Sequence, residues 1–191
     1  MFRRLTILAS LLLAPLTSFA EWNLDNSRSH LTFVSVKAVD IAEVHRFTVL
    51  DGNITDKGEA LVVVDVASLD TMIPIRNERM LSMLFDAENH PLIEVTADLE
   101  KDLLEDLMPG TGVQMNMQFT LYLLDQEIPV MADVAIERLS ETAFSVTNTS
   151  PVIIEARSAG LGEGVEELRK VANLPSISNA VPVNFYLQFV R

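Results

Sequence analysis

The sequence contains no cysteine among its 191 residues, which excludes disulfides, thiolate nucleophiles and cysteine-based metal sites. Aromatic residues make up only 6%, and the 14 basic residues are outnumbered by 27 acidic ones. The resulting net charge of −13 disfavours binding to nucleic acid and to anionic lipid surfaces. Hydrophobic residues account for 49% of the chain, so a packed core must hold the fold without covalent cross-links.

The longest apolar run lies at the N-terminus and is shorter than a typical membrane-spanning helix. Two arginines precede an apolar stretch over 5–13, and small side chains, Ser18 and Ala20, follow it. This pattern is typical of a secretory signal peptide. We therefore predict that residues 1–20 are cleaved and that residues 21–191 form one domain. An uncleaved N-terminal anchor is the alternative.

Cleavage would make the protein still more acidic. Without Arg3 and Arg4, 12 basic residues face 27 acidic ones, a net charge of −15. A secreted chain of this size without disulfides indicates the bacterial periplasm. We expect no nucleic-acid partner and no stable membrane insertion of the mature chain.

Short runs of alternating polarity recur between turn signals, which predicts an antiparallel all-β fold. The clearest alternation places Val113, Met115, Met117, Phe119 and Leu121 on one face of a strand. About eight strands are predicted, enough to close a barrel around a slender ligand. They cover 31–37, 46–55, 60–67, 92–98, 113–123, 129–138, 143–154 and 181–190.

Two segments follow a helical period instead. Residues 75–85 place Ile75, Met80, Met83 and Leu84 roughly on one stripe, which predicts a short amphipathic helix. Residues 163–173 carry acidic side chains early and basic ones late, as the helix dipole prefers. The acidic stretch 98–106 fits either a helix or a loop.

The methionine and phenylalanine stripe of 113–123 has two interpretations. Methionine is flexible and polarisable, so it suits the wall of an adaptable apolar cavity. Small barrels, however, are commonly filled by their own side chains, and such a stripe is then ordinary core. The pattern of residues alone leaves both interpretations open.

Several segments together resemble the YceI family. They include the opening Trp22 to Asp25 with Ser29 to Phe33, and the hairpin Phe47 with Asp51 to Ile54. The central block runs from Ser68 to Thr71, through Ile75 to Met80, to Phe85 and His90 to Ile93. The tail from Glu155 to Gly160 also fits. The resemblance covers nearly the whole mature chain.

This resemblance implies an eight-stranded, lipocalin-like antiparallel barrel with one or two short helices and an extended tunnel. It also implies a carrier of polyisoprenoid chains, including isoprenoid quinones, or of amphiphilic fatty-acid derivatives. It favours the ligand-lined interpretation of the methionine stripe. We therefore predict that the tunnel is lined by Phe33, Phe47, Val113, Met115, Met117, Phe119, Leu121, Phe185 and Leu187.

The chain departs from the family pattern at four positions near the expected mouth of the barrel. Asn77 replaces an aspartate and Arg79 a histidine. His45 and Met72 stand where the pattern has glycine. These differences leave the strand pattern intact and bear on the head group that the barrel accepts.

Head-group contacts are predicted for Arg76, Arg79 and His45. The two arginines are three residues apart on the predicted helix, so both can point the same way. Carbonyl or phosphate groups are natural partners for a guanidinium group. The alternative for Arg76 and Arg79 is a structural ion pair, with Glu78 or Asp86, or simple exposure.

Signals for catalysis or metal binding are weak. The three histidines at positions 30, 45 and 90 lack helical metal-binding spacing, and no nucleophile elbow or phosphate-binding glycine loop is present. We predict a periplasmic lipid carrier without enzymatic activity, metal or resident cofactor other than the bound lipid. An enzyme acting on such a lipid and a ligand-free scaffold are the alternatives, and a homodimer is left open.

Overall fold

Twelve β-strands form the framework of the part of the chain that the structure describes. The computed structural model describes residues 21–100 and 102–191, so the predicted signal peptide lies outside the described residues. The strands are β1 Trp22–Leu24, β2 His30–Lys37, β3 Ile41–Phe47, β4 Leu50–Ile54, β5 Glu59–Asp65, β6 Leu69–Asp70, β7 Leu92–Asp98, β8 Gly112–Leu123, β9 Gln126–Ser140, β10 Ala143–Asn148, β11 Val152–Glu155 and β12 Ala180–Val190.

The strands close into an antiparallel barrel of eight, as predicted. β1 with β2, β3 with β4, and β10 with β11 each act as one interrupted barrel strand. Together with β5, β7, β8, β9 and β12 they pair in chain order. The ring closes where β12 pairs with β1 and β2, through Asn23 opposite Val190 and Phe33 opposite Val183. β6 is an additional short strand on β3.

Alternating polarity fixes the register of these strands. Along β8, Met117 and Leu123 are buried while Gln114, Asn116 and Gln118 are exposed. A slip of one residue against β9 would turn the apolar face into water. The predicted strands at 92–98, 113–123 and 181–190 therefore agree closely with β7, β8 and β12.

Three predicted strands are interrupted or shortened in the structure. The strand predicted at 46–55 is divided between the end of β3, which already begins at Ile41, and β4. In β3, Ile41 and Val44 face outward while His45 is buried, the reverse of the usual polarity. The strand predicted at 60–67 ends at Asp65, whose side chain accepts a hydrogen bond from Ala67 N and starts a 3-10 turn. The strand predicted at 143–154 is interrupted between β10 and β11.

Two helical segments cover one end of the barrel, and both were predicted. α1 spans Pro74–Arg79 and continues as a π-helical turn over Met80–Leu84, whereas α3 spans Gly162–Val171. Gly164 lets α3 cross this turn, because a Cβ there would lie 2.5 Å from the Met83 carbonyl oxygen. Within the undecided stretch 98–106, α2 occupies Leu103–Asp106.

The opposite end, which we call the closed end, is sealed by aromatic and cationic side chains. Trp22 packs edge-on against Phe144 at 4.9 Å, and Phe144 stacks on Phe189 at 5.2 Å. The guanidinium groups of Arg138 and Arg191 lie 4.7 and 4.3 Å from the Trp22 ring centroid. The negative face of the ring attracts both guanidinium groups.

Candidate functional site

A cavity of about 500 Å³ occupies the barrel interior. Inward side chains of the barrel strands form its wall, and it is covered by Val165 and Leu168 of α3 and by Leu161, which directly precedes this helix. The cavity reaches the surface beside α1, where its lining residues Ile73 and Ile75 are 42% and 51% exposed. We call this opening the mouth.

Seven of the nine predicted lining residues do line this cavity. They are Phe33, Phe47, Met117, Phe119, Leu121, Phe185 and Leu187. Sequence reasoning missed many of the others, although alternation along β12 also points to Val181, Val183 and Phe189, which lie in the wall. Their contact with a ligand stays a prediction.

Val113 and Met115 do not line the cavity. Strand β8 enters the barrel from the closed end, so these two residues come before the cavity floor. Both pack against the cluster that contains Trp22 and Phe144. The cavity wall on β8 begins at the next inward residue, Met117.

The charged residues of the cavity lining gather at the mouth. They are Lys37, Glu43, Arg76 and Arg79, with His45 just inside. Glu43 Oε2 lies 2.7 Å from both Lys37 Nζ and Arg76 Nη1. The hydrogen bonds from Lys37 and then Arg76 lower the pKa of Glu43, which keeps its carboxylate ionised.

Arg76 links α1 to β3. It pairs with Glu43, and neither Glu78 nor Asp86, the partners considered from the sequence, is its partner. Its Nη2 donates to the Thr71 carbonyl oxygen, while its buried Nε has no partner among the described residues. Arg76 therefore has a structural role and also borders the cavity.

Arg79 differs from Arg76 in its contacts. It lines the cavity on the same side of α1, as the three-residue spacing predicts. Within residues 21–100 and 102–191 it makes no ion pair. Its guanidinium group is the one at the mouth that a ligand could engage without breaking an ion pair.

His45 is a buried polar group on the cavity wall, with only 2% of its surface exposed. Its Nε2 lies 2.8 Å from Ser35 Oγ, and its Nδ1 has no hydrogen-bond partner in the described part of the chain. Burial first, and then the positive charge of Arg76, lowers the pKa of His45 to about 4. The imidazole is therefore neutral at pH 7 and retains one unused hydrogen-bonding nitrogen.

Burial of neutral His45 predicts a specific acid sensitivity. In the unfolded chain His45 binds a proton near pH 6.5, whereas in the folded protein His45 binds it only near pH 4. The free energy of unfolding should therefore fall as the pH drops from 6.5, with a slope of up to about 1.4 kcal/mol per pH unit. Urea unfolding at pH 6.5 and pH 5 measures this fall.

The matched comparison uses two substitutions. His45→Gln should flatten the slope between pH 6.5 and pH 5, because the titrating ring is gone. His30→Gln should leave it unchanged, because His30 is exposed. Equal slopes in the wild type and His45→Gln would show that His45 does not carry the acid sensitivity.

The described residues hold no group of three or more histidine, aspartate and glutamate side chains placed to bind a metal ion. Over the same residues, no helix has both the length and the apolar character needed to cross a membrane.

Comparison with known proteins gives one family and related structures. Residues 22–189 match the model of the YceI-like domain. A polyisoprenoid binding domain from Saccharophagus degradans, implicated in plant cell wall breakdown, is 36% identical, with a TM-score of 0.87 over 91% of this chain and 99% of that one. BcnA from Burkholderia cenocepacia is 17% identical, with a TM-score of 0.67 over 86% and 98% of the two chains, and so shares the fold. The sequence matches no curated protein.

Proposed function

Because this chain belongs to the YceI-like domain family, we propose that it carries a polyisoprenoid or an isoprenoid quinone in its barrel through the periplasm. The family relationship supports lipid binding in general. The choice of an isoprenoid rests on the similar domain from Saccharophagus degradans, which binds polyisoprenoids. The periplasmic location rests on the signal-peptide pattern of residues 1–20.

The observation that carries this proposal is a mainly apolar cavity whose charged side chains are all at its mouth. Such a cavity shields a hydrocarbon chain along its length and leaves the polar head near water. Each buried methylene contributes roughly 0.8 kcal/mol, so one isoprene unit contributes about 4 kcal/mol before the costs of binding. Since ordering the chain opposes much of this gain, tight binding needs several units.

The head group would lie beside His45 and Arg79. Within the described part of the chain, neutral His45 has a buried nitrogen without a hydrogen-bond partner, and Arg79 has a guanidinium group without an ion pair. Quinone carbonyls and lipid phosphates accept hydrogen bonds from such groups. Arg76 would contribute mainly by holding α1 in place through Glu43.

We propose no catalytic step. Ser35 and His45 form a hydrogen-bonded pair on the cavity wall, which resembles part of a nucleophile–base arrangement. However, His45 Nδ1 has no orienting acid among the described residues, and a pKa of about 4 makes His45 a weak base. The geometry therefore favours carriage over hydrolysis.

Native mass spectrometry of the mature protein purified from a bacterial periplasm tests the proposal. We expect an added mass that organic extraction identifies as an isoprenoid. A bare protein mass that incubation with an isoprenoid quinone leaves unchanged would contradict carriage and favour a scaffold. Incubation with a fatty acid of similar length serves as the comparison for ligand class.

A further inference from the structure

Five apolar side chains stand exposed around the mouth. We call them the mouth rim: Val39, Ile41, Met72, Ile73 and Ile75, with exposures of 83%, 49%, 72%, 42% and 51%. Ile75 lines the cavity together with Met80 and Leu84 of the same predicted helical stripe, and it lies at the opening. Ile73 and Ile75 also line the cavity, so the apolar surface continues from the outside into the barrel.

Two of the exposed rim residues lie on strained backbone, which indicates that their exposure serves a function. Val39 and Met72 adopt left-handed conformations, with φ of 78° and 63°, and Ala38 precedes them with 49°. This conformation disfavours non-glycine residues, and β-branched valine most of all. The strained backbone and the exposed apolar side chains both lower the stability of the folded protein. Strain of this kind is found most often at functional sites.

The tip that carries Val39 is fixed in position. Ala38 N donates to the Ser176 carbonyl oxygen at 3.0 Å, and Val39 N donates to Ser176 Oγ at 3.3 Å. The ion pair between Arg76 and Glu43 ties the segment of Met72 and Ile75 to the same hairpin. The rim is therefore a preformed surface.

The charges near the rim are largely neutralised within the protein. Lys37 and Arg76 share Glu43, and Arg46 pairs with Asp70 at 2.7 Å. Arg79 makes no ion pair among the described residues, but Asp40 and Glu78 lie on the same two segments. The segments 37–46 and 70–79 therefore carry four basic and four acidic side chains. The chain as a whole is strongly acidic. Attraction to anionic lipids is therefore not built into this surface, and its apolar side chains suit a lipid surface without net charge.

We propose that the mouth rim docks on an electrically neutral lipid surface, so that an apolar chain passes between bilayer and cavity without crossing water. This inference deepens the proposed function and rests on it for the nature of the cargo. Val39 and Met72 enter the lipid surface. Ile73 and Ile75 form the path into the cavity.

The test combines Ala38→Asn, Val39→Gly and Met72→Gly in one rim variant. Asparagine and glycine accept left-handed conformations, so the variant should be more stable, with a melting temperature about 4 °C higher or more. None of the three positions lines the cavity. The control combines Met131→Gln and Ile153→Thr, which remove apolar side chains that are each 57% exposed on β9 and β11.

Cosedimentation with phosphatidylcholine vesicles measures docking. We expect the rim variant to bind at least fivefold more weakly than the wild type, and the control to bind like the wild type. Raising the salt concentration should change little, because the attraction is apolar. Equal binding by the rim variant and the wild type, or no binding by the wild type, would overturn the proposal.

Measuring how much lipid enters the cavity distinguishes docking of the rim from carriage in the cavity. A short-chain isoprenoid quinone added from ethanol should load the wild type and the rim variant equally, whereas extraction from vesicles should be slower for the rim variant. If the protein docks on vesicles but takes up no lipid, the proposed cargo is refuted and the docking proposal stands. A wild-type dimer in sedimentation velocity that the rim variant loses, without vesicle binding, would overturn docking in favour of a second copy.

Discussion

Met117→Arg is expected to lower lipid retention at least tenfold, because it places a charge in the cavity wall. Met117 is 6% exposed, and Glu43 is the only carboxylate among the cavity-lining residues. Glu43 already holds two cations at the mouth. An unpaired buried charge costs several kcal/mol, and 1.4 kcal/mol suffices for a tenfold change. The measurement is lipid extracted per mole of purified protein.

Met131→Arg is the matched control for this prediction. Met131 lies on the neighbouring strand and is 57% exposed, so the same substitution should leave retention unchanged. Ala132→Phe supplies a variant without added charge, because Ala132 lines the cavity opposite Met117. It should shorten the accepted chain while the protein stays folded. Normal retention of long chains by both Met117→Arg and Ala132→Phe would place the ligand elsewhere.

Arg138→Met should lower the free energy of unfolding by about 3 kcal/mol. Arg138 is 4% exposed, and it donates hydrogen bonds to the carbonyl oxygens of Leu104 at 3.2 Å and Glu141 at 2.7 Å. Its loss leaves both oxygens without this donor and removes a cation from the face of Trp22. Chemical denaturation, followed by the fluorescence of the single tryptophan, measures the change.

Arg28→Met provides the comparison for the closed end. The Arg28 side chain is 66% exposed and lies 3.6 Å from Asp25, so its removal should change stability by less than about 1 kcal/mol. A similarly small effect of Arg138→Met would mean that the seal does not depend on its arginine. Lipid retention by folded Arg138→Met should be normal, because Arg138 does not line the cavity.

Local polarity was enough to predict the barrel and much of its inner wall. In β8 and β12 the alternation of polar and apolar side chains determines which residues face inward. The inward face of each strand can therefore be predicted from the sequence of that strand alone. The place of Met117, Phe119 and Phe185 in the wall follows directly from that alternation. The number of strands then limits the sheet to a small barrel.

The mouth could not be predicted in the same way. In β3 the polar His45 faces inward and the apolar Val44 faces outward, so the polarity pattern of this segment does not predict a strand. Glu43 and Arg76 are brought together from different elements, and no local pattern specifies that contact. Val113 and Met115 follow the same alternation as Met117 but do not line the cavity, because where the cavity ends depends on residues from other strands.

The closure of the barrel determines when it can fold. Asn23 pairs with Val190, so the ring joins residues from nearly opposite ends of the described chain. Contacts of such long sequence separation form slowly, and earlier species leave strand edges and apolar surface unprotected. A nascent chain cannot complete the barrel before β12 emerges. For the periplasmic carrier that we propose, this delay would keep the chain unfolded while it crosses the membrane, and a chaperone would protect its exposed strand edges until β12 pairs.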